Sequence, residues 1–342
     1  MHPTLSNNKV LIFGGSGSLG RALIRRWATR NELVIFSRDE AKHWTIKNEL
    51  ELDSNVTFRV GDIRDQERIR EIINECKPTI IVVAAALKQV DTCELSPEES
   101  IKTNVIGVAN VLNVCSSFEN SESQLKAVLM VSTDKACSPT NVYGMSKAIA
   151  ERLVVSHSRK TSTVKFLGVR YGNVLDSRGS IVPLFRYQSE SQSKFTITHR
   201  GMTRFLMTLD ESIDLIETAI ESGESGDFWI PKLRSMRVFD LATIFSERYK
   251  KPIIEIGVRP GEKLHEDLIS ETESLRTHSL GSNLVLKPQF DTSTKEFKTW
   301  SYNSNQDLLE MDELYNFLES KNVFSRNSTD FLGNSIEEIR KN

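Results

Sequence analysis

Cysteine is scarce in this sequence: Cys76, Cys93, Cys115 and Cys137 are the only four in 342 residues, widely separated and with no C-x-x-C pair. That scarcity excludes a disulfide-stapled secreted scaffold and the common structural zinc sites, and predicts reduced thiols, a cytoplasmic location and no metal. Long hydrophobic runs are missing as well. The longest, Ile80 to Leu87, is far too short to cross a bilayer, and the stretch from Met1 to Asn8 lacks the apolar core of a signal peptide. No membrane insertion is expected. Charge of one sign is also lacking: the formal net charge is −2, whereas nucleic-acid and anionic-membrane partners usually leave a basic excess. A phosphorylated small molecule stays compatible, because two or three placed cations suffice for a diphosphate. Repeats and low-complexity tracts are absent. Asn55-Val56-Thr57 and Asn327-Ser328-Thr329 match glycosylation sequons, which carry no weight without a secretory signal.

What is present is apolar material for a large core, with 39% hydrophobic and 26% charged residues. Short, near-continuous apolar runs at Lys9–Phe13, Leu33–Phe36, Val56–Val60, Thr79–Ala84, Ala127–Val131 and Val164–Val169 read as strands buried on both faces. Helix-like segments at Leu19–Arg30, Gln66–Cys76, Ser96–Phe118 and Val142–Ser158 alternate with them. Ser96 is placed as an N-cap with Pro97 at the first helical position. The alternation predicts an α/β fold with a doubly wound parallel sheet. The rhythm loosens after about residue 175. Ser177–His199 reads as polar and irregular, and later pieces (helices at Asp210–Ser222 and Val238–Tyr249, strands at Phe228–Ile230 and Ile253–Ile256) read as a smaller lobe. The predicted division is 1–175, 176–270 and a weakly patterned 271–342 with no assigned chemistry.

Gly14, Gly17 and Gly20 form a G-x-x-G-x-x-G turn directly between the first strand and first helix, with Ser18 and Leu19 inside it. Glycines there permit a tight turn and close approach of a pyrophosphate to the helix N-terminus. The second strand ends in Ser37-Arg38, where an NAD-preferring site would place a carboxylate. Arginine suits a 2′-phosphate through forked, charge-assisted bonds, so NADP is the expected cofactor. Asp62-Ile63 after the third strand is placed to meet the adenine, and Ala84, Ala85 and Ala86 after the fourth let backbone pass near the cofactor.

Tyr143 and Lys147 are four apart and share a helix face. A phenol titrates near 10 and is a poor base at neutral pH; a neighbouring ammonium is expected to shift it down, so that it can deprotonate an alcohol as hydride leaves for nicotinamide. Thr133, at the end of the preceding strand, can bond the same oxygen.

These motifs resemble the extended short-chain dehydrogenase/reductases. More closely, residues 8 to 270 resemble the inverting, 5-epimerising UDP-N-acetylglucosamine 4,6-dehydratases. The likeness rests on Ala84-Ala85-Ala86-Leu87-Lys88, Ser132-Thr133-Asp134-Lys135-Ala136, Tyr143-Gly144-x-Ser146-Lys147 and Arg170-Tyr171-Gly172-Asn173-Val174. It continues in Ser177-Arg178-Gly179-Ser180, Met202-Thr203-Arg204-Phe205 and Arg259-Pro260-Gly261-Glu262-Lys263-Leu264-His265-Glu266. The resemblance implies a Rossmann-type NADP domain, a UDP-sugar substrate and a homo-oligomer, dimer or hexamer. It implies that Lys135 takes the C5 proton and Asp134 protonates the departing C6 hydroxyl. Lys135 must then be neutral, through burial and the Lys147 charge, and Asp134 must hold its proton through desolvation.

For the substrate, Arg204 and Arg259 are the diphosphate candidates and Asn173 a sugar–phosphate contact. The resemblance places Lys88 and Arg178 near the sugar, with Thr196 and Glu262 toward the uridine. Three positions depart from the family pattern: Phe13 for Thr, Asp176 for Gly and His199 for an acidic residue. A retaining 4,6-dehydratase or a 4-epimerase on a similar UDP-sugar is the alternative. Lys135, where retaining enzymes carry Glu, argues against the first, and the Thr-Asp-Lys set against the second.

Overall fold

The computed structural model describes residues 5–50, 55–117, 124–160, 163–175, 177, 179–290 and 298–324. Asp176, Arg178 and the sequon at Asn327 lie outside them. The apolar runs form strands because each can bury both faces; all four residues of Ile80–Val83 are buried.

The first half alternates as β1 (Lys9–Phe13), α1 (Ser18–Trp27), β2 (Glu32–Ser37), α2 (Glu40–Glu49), β3 (Val56–Val60), α3 (Gln66–Cys76) and β4 (Ile80–Val83). Helices α4 (Val90–Leu95), α5 (Pro97–Ile101) and α6 (Gly107–Ser117) follow, then β5 (Ala127–Val131), α7 (Val142–His157) and β6 (Lys165–Val169). The second half runs α8 (Ile181–Ser191), β7 (Phe195–Ile197), β8 (Thr203–Phe205), α9 (Leu209–Ser222), β9 (Phe228–Pro231), β10 (Ser235–Arg237), α10 (Val238–Tyr249) and β11 (Ile253–Glu255). It closes with β12 (Asp267–Ile269), α11 (Glu271–Ser274), β13 (Thr277–Leu280), β14 (Asn283–Leu286), β15 (Tyr302–Asn303) and α12 (Met311–Ser320).

Nine strands make one sheet in the order β13-β14-β9-β6-β5-β4-β1-β2-β3. Pairings from β3 to β9 are parallel, while β14 and β13 add an antiparallel hairpin at one edge. The strand order reverses between β1 and β4, which opens a crevice at their carboxyl ends. A second core gathers Phe185, Phe195 and Phe245 in edge-to-face contacts, with Leu314 and Leu318 of α12 beside them. No helix among the described residues is long and apolar enough to cross a membrane.

The sequence reading needs correction in four places. The helix expected across Ser96–Phe118 is broken by a π-helical stretch, Lys102–Ile106, and Ser96 makes no side-chain cap bond. That stretch turns Asn104 inward, where its amide brackets the Leu87 backbone, accepting from Leu87 N at 2.8 Å and donating to Leu87 O at 2.9 Å. The loop leaving β4 is thereby fixed, a use typical of π-bulges near functional sites. Helix α2 was not anticipated because it buries only His43 and Ile46. Helix α8 lies inside the stretch read as irregular, and residues 277–286 complete the sheet from a segment with little pattern.

Candidate active site

A cleft of about 620 Å³ runs along the crevice. Its floor is the turn after β1. Gly14 has φ +82°, and a Cβ there would sit 2.5 Å from Ala85 N, so this close approach of two strand ends admits only glycine. A Cβ on Gly20 would lie 2.1 Å from Gly15 O, which seats α1 directly on the turn. Helix α1 opens with no side-chain cap at Gly17 and no acid in its first turn, leaving its N-terminus suited to an anion. Gly14, Gly17, Ser18, Leu19, Gly20, Ser37, Arg38, Asp62, Ile63, Ala84, Ala85 and Ala86 all line the cleft. These features fit a dinucleotide.

At the end of β2, half-exposed Arg38 approaches Asp62 at 3.7 Å, whereas Asp62 is held chiefly by Arg64 at 2.7 Å. Burial would raise the Asp62 pKa, but the bonds to Arg64 outweigh it and hold the carboxylate below its usual range. The Ser37 hydroxyl meets His43 Nε2 at 2.6 Å. Lys42, which the sequence reading passed over, also lines this end of the cleft, paired with Asp39 at 2.9 Å. Its signal was the Asp39 N-cap of an unrecognised helix, which brings Lys42 back over the strand end.

The reactive end is built by a short 3₁₀ turn, Asp134–Ala136, directly after β5. Thr133 caps it, and its hydroxyl donates to Asp134 Oδ1 at 2.9 Å. Tyr143 and Lys147 enter from α7, whose first turn is capped by Asn141 accepting from Gly144 N at 2.8 Å. A Cβ on Gly144 would lie 2.1 Å from Lys135 O, so this glycine lets helix and turn touch. Behind them Arg170 bonds Glu151 of α7 at 2.5 Å and Glu273 of α11 at 2.8 Å, and Ser132 donates to Glu151 at 2.6 Å. The buried arginine locks three elements around the turn.

Two expectations about charge are overturned. Lys135 was expected to be neutral, with a lowered pKa; burial does pull it down, but Asp134 at 3.1 Å and Glu266 at 3.1 Å outweigh burial and raise it. Lys147 was expected to pull Tyr143 down. Instead burial pushes Tyr143 up to about 12, and the opposing influences are the Lys135 charge and the Thr133 hydrogen bond. Lys147 donates to Val131 O at 2.6 Å, and burial lowers it to about 8 against the pull of Glu151. Asp134 behaves as expected: burial first, then Glu266, raises its pKa against the Lys135 charge.

Lys88, Asn173, Arg259 and Glu262 line the cleft, together with Asp134, Lys135, Thr133, Tyr143 and Lys147. Arg259 pairs with Asp91 at 3.2 Å and donates its backbone N–H to Glu262 at 3.1 Å. Arg204 and Thr196 do not line the cleft. Arg204 is buried, donates to Thr203 O at 2.7 Å and stands 3.8 Å from Glu266, so its charge serves the cluster beneath Lys135. Thr196 is engaged by Gln188 from both its backbone and its hydroxyl. Arg178 falls outside the described residues. Glu266, 3.1 Å from Lys135, is the neighbour of the cleft residues to which the sequence reading gave no role. It stood in plain view inside the Arg259–Glu266 motif, but only the fold brings it to Lys135.

A family model described as polysaccharide biosynthesis protein matches residues 10–288. A UDP-glucose 4-epimerase of Rickettsia prowazekii is 38% identical over 282 residues, covering 80% of this chain and 80% of that protein. An inverting UDP-N-acetylglucosamine 4,6-dehydratase of Campylobacter jejuni is 34% identical over 298 residues, covering 85% of this chain and 86% of that protein. Among solved structures, Pen from Bacillus thuringiensis is 31% identical with a TM-score of 0.86, over 93% of this chain and 99% of that one. The chain therefore belongs to the polysaccharide biosynthesis protein family, among the nucleotide-sugar dehydratases and epimerases of the extended short-chain dehydrogenase/reductases.

Proposed function

We propose that this protein is an NADP-dependent UDP-N-acetylglucosamine 4,6-dehydratase, a hydro-lyase that inverts C5. Its product is UDP-2-acetamido-2,6-dideoxy-β-L-arabino-hexos-4-ulose. One observation carries the reading: buried Asp134 and half-buried Lys135 form an ion pair lining the same cleft as Tyr143 and Thr133. Oxidation and reduction at C4 alone require Tyr143 but no second acid–base pair. Elimination across C5–C6 requires both.

NADP would be held by the Gly14–Gly20 turn with Ser37 and Arg38 at its 2′-phosphate, and when bound it supplies a hydride acceptor for C4 and the returning hydride for C6. Tyr143 takes the C4 hydroxyl proton as the phenolate, which the Lys135 charge and the Thr133 hydrogen bond favour against burial, with Thr133 bonding the same oxygen. Ketone formation acidifies C5. Lys135 then removes that proton while Asp134 protonates the leaving C6 hydroxyl, which departs as water. A proton returned to C5 on the opposite face gives the L-configuration. Lys88 and Asn173 reach the sugar side, and Arg259, with Glu262 beside it, meets the UDP diphosphate; Arg178 is assigned to the sugar by its motif alone. Four buried, unpaired cysteines support a cytoplasmic location.

The test is incubation with UDP-N-acetylglucosamine in deuterated water, followed by proton NMR without added NADPH. A C6 methyl signal, deuterium at C5 and inverted C5 are expected. Unchanged substrate sinks the assignment, and a D-configured product removes the inversion. The second reading, a UDP-sugar 4-epimerase, is favoured by the name of the Rickettsia relative. It predicts a C4 epimer with the C6 hydroxyl intact.

A further inference from the structure

Lys135 is held between two carboxylates, not one. Its Nζ lies 3.1 Å from Asp134 Oδ1 and 3.1 Å from Glu266 Oε1, and both acids are essentially excluded from solvent. Glu266 cannot drift, because its backbone is pinned by Ser304. Glu266 N donates to Ser304 Oγ at 2.9 Å, and Ser304 N donates back to Glu266 O at 2.8 Å. The Ser304 hydroxyl meets that of Thr203 at 2.8 Å, and Thr203 also meets His265 Nδ1 at 2.8 Å. The second oxygens, Asp134 Oδ2 and Glu266 Oε2, are buried without a hydrogen-bond partner among the described residues.

Among the described residues, the charged groups facing this cluster come from four places, and Lys263 is offset by Asp267 at 3.2 Å. Asp134, Lys135 and Tyr143 come from the turn and α7; Arg204 comes from β8. Lys263, His265 and Glu266 come from the segment before β12. With Asp134, Lys135, Glu266 and Arg204 all ionised, the four charges sum to zero. Moving one proton from the Lys135 ammonium to the Asp134 carboxylate leaves two neutral groups beside the Glu266–Arg204 pair, and the sum is still zero. No uncompensated buried charge forms at either end, which is the condition for such a transfer to be cheap.

We infer that Glu266 is the positioning residue of the elimination step, holding Lys135 against Asp134 so that one proton passed between them makes the base and the acid together. The inference rests on the dehydratase reading. The protons balance: neutral Lys135 takes the C5 proton and becomes ammonium, while Asp134 gives its proton to the C6 hydroxyl and becomes carboxylate. Water leaves, and the pair returns to its starting ionisation. Glu266 holds the lysine in its cationic form in the resting state, where burial alone would push it toward neutrality.

The experiment compares wild-type holoenzyme with Glu266→Gln. Three measurements are made: dehydration of UDP-N-acetylglucosamine by NMR, the pH dependence of kcat, and titration of Lys135 Nζ by nitrogen NMR, which needs no substrate. Expected for Glu266→Gln are a kcat lower by about 100-fold, a KM near wild type, and a Lys135 titration moved down by about one unit or more. Glu266→Asp should recover part of the rate. The lysine titration reads the loss of the Glu266 charge, while a fall in kcat at unchanged KM that Glu266→Asp partly restores separates positioning from loss of fold. Wild-type rate, pH profile and titration in Glu266→Gln overturn the inference alone; a wild-type enzyme that forms no C6 methyl product overturns it together with the dehydratase reading. Should Glu266→Gln fail to fold, Ser304→Ala keeps the carboxylate and loosens its backbone. A lowered kcat at unchanged KM there supports the inference, and an unchanged kcat overturns it.

Discussion

Lys135 and Asp134 differ from ordinary surface charges because each is defined by what surrounds it. In water the pair would be screened and nearly inert. Here the aspartate is fully buried and the lysine partly so, and the two pKa values move upward together for opposite reasons: burial raises the acid, and carboxylates raise the base. On the dehydratase reading proposed above, replacing Lys135 with alanine should abolish elimination while the dinucleotide still binds, since the turn at Gly14–Gly20 lies elsewhere in the cleft. The checks are loss of the C6 methyl signal beside an unchanged cofactor dissociation constant. Wild-type turnover would discard Lys135 as the base. At this scale the sequence was informative where chemistry is contiguous. Thr133, Asp134, Lys135, Tyr143 and Lys147 sit within one short stretch, and the cleft contains all of them. Glu266 and Arg204 were opaque because their meaning depends on which distant residue they face. A sequence carries no sign that an arginine in a substrate-like motif has turned inward to a glutamate.

Among elements, the parallel strands were legible because double burial leaves an unbroken apolar run, and α7 was legible from its spacing. Helices α2 and α8 were not. The first buries too little to show a stripe, and the second mixes a buried arginine with its apolar face. The C-terminal elements act through partners rather than through pattern. Glu273, on the short α11, is held down to about 2 because the charge and hydrogen bonds of Arg170 overcome its burial. A folded-state value below the unfolded one stabilises the protein above about pH 4.5, and that contribution fades as pH falls toward 2. The shift is worth roughly 3 kcal/mol. Glu273→Gln should therefore be less stable at pH 7 by that order and should show a flatter decline in stability between pH 4.5 and 2, measured by chemical denaturation at successive pH values. An unchanged acid profile would show that the pair contributes little.

For the whole molecule, one face asks for a partner. Ile101, Ile106, Met145 and Ile149 are 46%, 46%, 48% and 50% exposed, and they belong to α5, the π-helical stretch and α7, which pack side by side. A second copy of this chain, docking face to face, is the occupant we propose, because exposed apolar side chains gathered on neighbouring helices are what a symmetric dimer buries. Ile149→Glu should shift the protein from dimer to monomer in sedimentation while secondary structure is retained. A wild-type protein that sediments as a monomer would refute the proposal.

Arg170 has a consequence for the order in which the molecule comes into being. It is 1% exposed, and its two partners are Glu151, made before it, and Glu273, made long after. A nascent chain that has emerged only as far as β9 already holds every parallel strand of the sheet, yet its central arginine is half paired and Glu266 has no Ser304 behind it. An arginine lacking one of its buried carboxylates is costly to enclose. The turn at Asp134–Ala136 is thus fully braced only once the chain through Ser304 has emerged, so a product truncated before Glu273 would carry the glycine-rich turn with Arg170 short of one buried carboxylate.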